Sequence, residues 1–251
     1  MIRGRFGVIC LASEIENHMF EILSFLDHSE ELVGSGLLSK LFSIKGFELS
    51  EATVGRILRR MDQEKWTLRV GFQGRAITKA GRSALTEMRN SKERLMCGNQ
   101  FIKTLESKKI DDLLDILVAR KAIERELARL AALNASPEEI QLLESMVLEQ
   151  ERHMVKERIS AEHDVKFHKL LAVAAKNKVL TATMELIRYD AQLSPVLELI
   201  RNEVEREIVI DHSEIVKAIK ERNPDKAEAA MILHVDSLIL EVKKYWNLVK
   251  K

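Results

Sequence analysis

The sequence predicts a mainly α protein in two parts: an N-terminal winged helix-turn-helix of three or four helices plus a β-hairpin wing, then an antiparallel all-helical bundle of six or seven helices. Three observations carry this expectation. Ten Gly and three Pro in 251 residues leave too few turn signals for an all-β sandwich. Apolar residues recur at helical spacing along most of the chain, and short strand-like runs flank only one Gly-bounded turn. Charge is also segregated: the formal net charge is +1, yet residues 53–90 hold nine basic and three acidic side chains, against four and eight in residues 1–52 and 27 and 28 in residues 91–251. A single short basic stretch is the electrostatic footprint of a nucleic-acid surface.

The elements follow in order. Ser13-Glu14-Ile15-Glu16 is a capping box, opening a helix that places Ile15, Met19, Ile22, Leu23 and Leu26 on one face. His18 and His28 of that helix are expected at the surface. A short second helix lies near Ser35 to Phe42, and Lys45 to Leu49 forms a turn. Ser50 caps a third helix with Val54, Ile57, Leu58 and Met61 at i, i+3, i+4, i+7; its opposite face shows Ala52, Thr53, Arg56, Arg59, Arg60 and Gln63. Thr67 to Val70 and Arg75 to Thr78 read as strands around Gly71-Phe72-Gln73-Gly74, and Thr78 caps a fourth helix through Ala80 to Met88. Such folds place the third helix in the major groove of double-stranded DNA. Thr53 and Arg56 then approach base edges with Arg59 and Arg60 nearby, while Arg69, Arg75 and Lys79 hold phosphates around the wing. Trp66 and Trp246 are expected to pack rather than stack on bases.

Val33-Gly34-Ser35, Ser50-x-x-Thr53-Val54-x-x-x-Leu58-x-x-Met61-Asp62 and Gly74-Arg75-x-Ile77-Thr78-x-x-Gly81 with Leu85 also resemble a known module. It is the winged helix of archaeal nitrogen-regulation repressors and of some ribonuclease R N-termini, and the resemblance covers about residues 13–88.

The expected organisation is a winged-helix domain over residues 1–90, a polar linker, helical in part, over 91–107, and an all-helical domain over 108–251. Ser136-Pro137-Glu138-Glu139 is a capping box with Pro at the first helical position, and Asn223-Pro224-Asp225 starts the last helix in the same way. The informative residues are the polar ones on apolar stripes. In the helix from about Asp111 to Leu133, Arg120 and Glu124 fall within the stripe Leu113, Ile116, Leu117, Ile123, Leu127, Leu130. From Ser160 onward, Asp164 and His168 lie one turn apart on the face of Phe167 and Leu171. His212 shares a face with Ile215, Val216 and Ile219, and His234 with Ala227, Met231 and Leu238. One inward His is ordinarily a hydrogen-bonded core residue, but three with an Asp are costly to bury without a shared partner. A divalent transition metal serves all four, zinc first, with nickel or manganese as alternatives.

Arg120-x-x-x-Glu124, Asp164-x-x-Phe167-His168, Asn177, His212-x-x-Ile215-x-x-Ala218-Ile219 and His234 together resemble the FCD effector-binding domain of FadR-type regulators in the GntR superfamily, over about residues 108–245. The resemblance implies a metal held by Asp164, His168, His212 and His234, a small organic acid effector contacted by Arg120 and Asn177, and a homodimer. Ser213 stands where that family often carries Arg, and the N-terminal half lacks the usual GntR recognition-helix pattern. The function expected is a ligand-responsive, metal-dependent transcriptional regulator and no enzyme.

The rival expectation is an HD-type phosphohydrolase. His163-Asp164, with His153 upstream and Asp211, Asp225 or Asp236 downstream, is similar to the helical metal-dependent members of that class. It leaves the inward His212 and His234 and the basic stretch without a task. No nucleophile elbow, P-loop or glycine fingerprint occurs. No apolar run reaches the roughly 18 residues of a membrane span. The segment Met1 to Ala12 lacks a signal-peptide cleavage site, so a cytoplasmic protein is expected. Cys10 and Cys97 are too few and too far apart for a metal knuckle, and are read as small hydrophobes.

Overall fold

The computed structural model describes residues 14–107, 109–154, 161–188, 200 and 212–249. The expectations resting on Cys10, Ser13 and Asp211 lie outside the described residues, as does the His153 side chain. The chain divides into two compact units at Gln100/Phe101.

The first unit orders α1 (Glu14–His28), α2 (Ser35–Ile44), α3 (Glu51–Gln63), β1 (Thr67–Val70), β2 (Gly74–Ile77) and the start of α4 (Lys79–Leu105). Its core is the set of apolar stripes read from the sequence: Met19, Ile22, Leu23 and Leu26 of α1 meet Leu38 and Phe42 of α2 and Val54, Ile57, Leu58 and Met61 of α3. Ile15 leaves that stripe and is exposed, whereas His18 is buried, against expectation. Its imidazole meets the rings of Phe42 and Phe47 edge to face, each at 5.7 Å between centroids. Such pairing absorbs the apolar edges of the ring inside the core. Ser50 caps α3, its hydroxyl accepting from Thr53 N at 3.2 Å, and Thr78 caps α4, accepting from Gly81 N at 3.0 Å.

The strands pair antiparallel with Thr67 opposite Ile77 and Val70 opposite Gly74. Val33 adds a bridge to Arg75, with N···O distances of 3.1 and 3.0 Å. This close approach needs Gly74, which has φ +142; a Cβ there would lie 2.7 Å from Val33 backbone atoms. Helix α4 continues to Leu105, through most of the stretch read as a linker. That stretch contains no Pro and a single Gly, Gly98, so nothing in it ends a helix.

In the second unit the described helices are α5 (Ile110–Asn134), α6 (Pro137–Met154), α7 (Ala161–Ala174), α8 (Lys178–Arg188), α9 (His212–Lys220) and α10 (Pro224–Val249). Helix α5 packs along α10, and α6, α7 and α9 complete a core of Ala128, Ala131, Leu143, Phe167, Leu171, Ile215, Ile219, Met231 and Val235. The capping box of α6 forms as its spacing predicts: Ser136 N donates to Glu139 Oε2 at 2.8 Å and Glu139 N to Ser136 Oγ at 3.2 Å. Among the described residues no helix is long and apolar enough to cross a membrane.

Two helical glycines of the first unit should respond oppositely to alanine. A Cβ on Gly81 would lie 2.2 Å from the Trp66 carbonyl oxygen, whereas one on Gly55 meets nothing within 4 Å. Urea unfolding should show Gly81→Ala destabilising by about 1–3 kcal/mol, an overpacking cost. Gly55→Ala should stabilise by up to about 1 kcal/mol from helix propensity. A neutral Gly81→Ala would refute the close packing of the wing against α4.

Candidate metal centre and basic winged-helix face

The second unit converges four buried side chains from four positions on three helices: Asp164 and His168 on α7, His212 at the first residue of α9, and His234 on α10. One donor atom from each lies within 4.8 Å of all the others. Asp164 Oδ1 is 3.5 Å from His212 Nε2 and 3.6 Å from His168 Nε2. Donors at about 2.0–2.1 Å from a tetrahedral zinc ion are themselves separated by about 3.4 Å. Asp164 Oδ1 and the Nε2 atoms of His168, His212 and His234 are all buried with no hydrogen-bond partner. Leaving four such atoms dry and unpaired is costly, so the donor set fits a divalent cation.

A second layer aims these donors. Glu124 is 1 % exposed and its Oε2 lies 2.8 Å from His168 Nδ1. A carboxylate at that distance, as an ion-pair contact, favours the proton on Nδ1 and so turns the Nε2 lone pair to the cluster. His212 Nδ1 lies 2.9 Å from Gln150 Oε1, which sets the same tautomer, and the ring stacks on Phe167 at 3.9 Å. Arg120 Nε donates to Glu124 Oε1 at 2.7 Å. Arg188 bridges both carboxylates, at 3.1 Å to Asp164 Oδ2 and 3.3 Å to Glu124 Oε1.

The charge states follow from these contacts. Burial by itself would raise the Glu124 carboxyl, but Arg120 and Arg188 outweigh it and hold the group well below its ordinary value. For Asp164 burial is again opposed, chiefly by Arg188 and then by His168 and His212, with the same result. Burial, reinforced by the neighbouring imidazoles, pushes His212 well below its ordinary value and His234 to about 3. Neutral imidazoles are the form that binds a metal.

Arg120 faces inward as its place on the stripe implies, and its charge is spent on Glu124, although Nη2 remains buried without a partner. Asn177 has a local role: its Oδ1 accepts from Val179 N and Leu180 N, both at 3.1 Å, capping α8. Sequence reasoning missed Arg188 and Gln150. Both fall on apolar stripes, Arg188 one turn after Met184 and Gln150 three residues after Val147, and that spacing could have found them. A pocket of about 280 Å³ between α7 and α8 is lined in part by His168, Lys169, Met184 and Arg188. Among the described residues, Asp164 groups with His168, one turn away, Asp236 pairs with Lys121 at 2.8 Å, and Asp225 is exposed, so nothing there supports the HD reading.

On the first unit, Arg56, Arg59 and Arg60 of α3, Arg69 of the wing and Lys79 of α4 are exposed. Thr53 is half-buried and accepts from Arg56 Nη2 at 3.1 Å. Arg75 departs from the phosphate-holding expectation. Its side chain is 11 % exposed and its Nε donates to Asp62 Oδ2 at 2.9 Å, so its charge braces the wing on α3.

The architecture is thus a basic winged helix followed by a helical bundle with a buried one-aspartate, three-histidine cluster. Residues 115–237 match the FCD domain family and residues 20–85 the ribonuclease R winged-helix domain. The chain accordingly contains a region that matches the FCD domain and, before it, one that matches a winged helix of the ribonuclease R type. It is 30 % identical to the "Putative L-lactate dehydrogenase operon regulatory protein" of Escherichia coli over 153 residues, which is 58 % of this chain and 57 % of that protein. It is 33 % identical to the "Global nitrogen regulator NrpR" of Methanocaldococcus jannaschii over 71 residues, 28 % of this chain and 13 % of that one. The chain therefore spans little more than half the length of the former and a small part of the latter. Among solved structures, Streptococcus agalactiae GntR aligns with a TM-score of 0.44 and 20 % identity, over 90 % of this chain and 98 % of that one.

The depressed histidines set a pH dependence for the metal-free protein. His212 and His234 stay neutral in the fold while their unfolded counterparts protonate below about pH 6.5, so the unfolded state binds more protons there and stability falls as pH falls. Each should remove about 1.4 kcal/mol per pH unit once the pH is well under that value. Chelator-treated protein should accordingly show a steep drop in melting temperature between pH 7 and 5, and His234→Asn should flatten it. An unchanged melting temperature over that range would mean these imidazoles are not held neutral.

Proposed function

We propose that this protein is a ligand-responsive DNA-binding transcriptional regulator. Its helical domain holds one divalent transition metal, zinc first and nickel or manganese as alternatives, on Asp164, His168, His212 and His234. The observation that carries this reading is the convergence of four buried donor atoms that have no other partner. When bound, the metal supplies a Lewis-acid site that orients the carboxylate of a small organic acid. Arg120 Nη2 and Arg188 Nε are buried donors without acceptors, and a carboxylate entering by the pocket between α7 and α8 satisfies them as charge-assisted hydrogen bonds. Asn177 contributes by holding the start of α8, and hence Arg188, in place.

In the winged helix, Thr53 and Arg56 read base edges from the start of α3, with Arg59 and Arg60 beside them. Arg69 and Lys79 hold phosphates. Arg75 acts through Asp62, fixing the wing on the recognition helix. Effector binding alters the packing of the bundle, and α4, which runs through both units, passes the change to the winged helix. The protein works as a cytoplasmic homodimer on a two-fold symmetric operator and has no catalytic activity. The operon and nitrogen regulators among its relatives support the same reading.

Elemental analysis of the full-length protein should find about one divalent metal per chain, lost in Asp164→Ala and His212→Ala. Sheared genomic DNA selected on the metal-loaded protein should yield a recurring symmetric site. On that site Arg56→Ala should lose about 1–3 kcal/mol of base discrimination. Lys79→Ala should weaken all sequences alike and lower the salt slope by about one. A metal-free protein whose stability zinc does not move, together with no enriched DNA, would overturn the proposal.

A further inference from the structure

The wing carries apolar surface that the fold does not use. Phe72, at its tip, is fully exposed, and Leu68 and Val70 on the same face of β1 are exposed as well. Three large apolar side chains on one four-residue strand and its turn depart from the scattered single residues normal to a soluble surface. The hairpin presenting them is braced from behind. Arg75 is held by Asp62, Thr67 Oγ1 donates to Asp62 Oδ1 at 2.5 Å, and the Val33 bridge to Arg75 adds a backbone contact near Gly74. At the tip itself, exposed Arg69 donates from Nε to the carbonyl of Gly71, the residue before Phe72, at 3.1 Å, so a cation and an exposed aromatic share the same turn. A rigid, cation-flanked aromatic at a hairpin tip suits a polyanion with stacked rings: the cation meets a phosphate and the ring meets a base step.

We infer that Phe72 is a wedge that enters the minor groove of double-stranded DNA beside the recognition helix, partly unstacks one base step and bends the duplex, with Arg69 on the flanking phosphate. This rests on the DNA-binding reading above and adds to it a bend in the operator. It also gives sequence preference at a position without base hydrogen bonds, since flexible pyrimidine–purine steps are cheapest to open.

The test uses full-length protein and the genomic fragments it recovers, with affinity read by gel shift and bend by circular permutation of the site. Phe72→Ala should bind about fivefold to a hundredfold more weakly and lose the bend. Its salt slope should stay that of the wild type, because no charge is removed. Phe72→Leu, another apolar wedge, should retain most of the bend. Because Phe72 is exposed, unfolding curves of all three proteins should coincide. Equal affinity and bend in wild type and Phe72→Ala would overturn the wedge and leave DNA binding standing. Weaker binding with an unchanged bend would overturn it too, making Phe72 an ordinary contact. Recovery of no DNA by the wild type would overturn the wedge and the DNA-binding reading together.

Discussion

The helical unit is organised around the problem of keeping the Glu124 carboxylate charged at 1 % exposure. A lone buried carboxylate is prohibitively costly, and this one is offset by three donors from three helices: Arg120 Nε on its own α5, His168 Nδ1 on α7 and Arg188 Nη2 on α8. Meeting that demand fixes the mutual placement of α5, α7 and α8. It also orients the cluster, because the proton on His168 Nδ1 leaves Nε2 as the free donor, and the second arm of Arg188 holds Asp164 in its charged form. Helices α9 and α10 then need only bring His212 and His234 against a preset pair.

Asp62 performs a comparable task in the first unit with one residue. It sits near the end of α3 and accepts from Thr67 on β1 and Arg75 on β2, so α3 and both wing strands share one anchor. The wing is consequently a fixed extension of α3, and surface presented by one is presented in register with the other.

Much of this was legible in the sequence, because helical spacing reports burial directly. Val54, Ile57, Leu58 and Met61 are all buried, and Asp164, His168, His212 and His234 all face one point, as their shared stripes imply. The capping signals at Ser50, Thr78, Ser136 and Asn223 likewise formed hydrogen bonds at the expected positions. What was illegible depends on partners distant in sequence. The burial of His18 rests on Phe42 and Phe47 from outside α1, and the sequestration of Arg75 rests on Asp62, thirteen residues earlier. Arg188 was missed although its helical spacing marked it as inward, because its carboxylate partners lie 24 and 64 residues away. Chain reversals were hidden for another reason: Lys65, Lys176 and Arg222 adopt left-handed backbone at φ 60, 59 and 56, positions where a glycine would have advertised the turn.

The pairing of Arg120 and Arg188 with Glu124 and Asp164 makes this part of the interior electrically balanced before any cation enters. A divalent ion would then add two positive charges that these four groups do not offset, and an anion becomes the natural means of restoring balance. By thermodynamic reciprocity the anion must tighten the ion by the factor through which the ion tightens the anion. On the proposed function, such a bundle would behave as a coincidence detector, responding to the product of two concentrations, so that scarcity of the metal would silence it as effectively as absence of the acid.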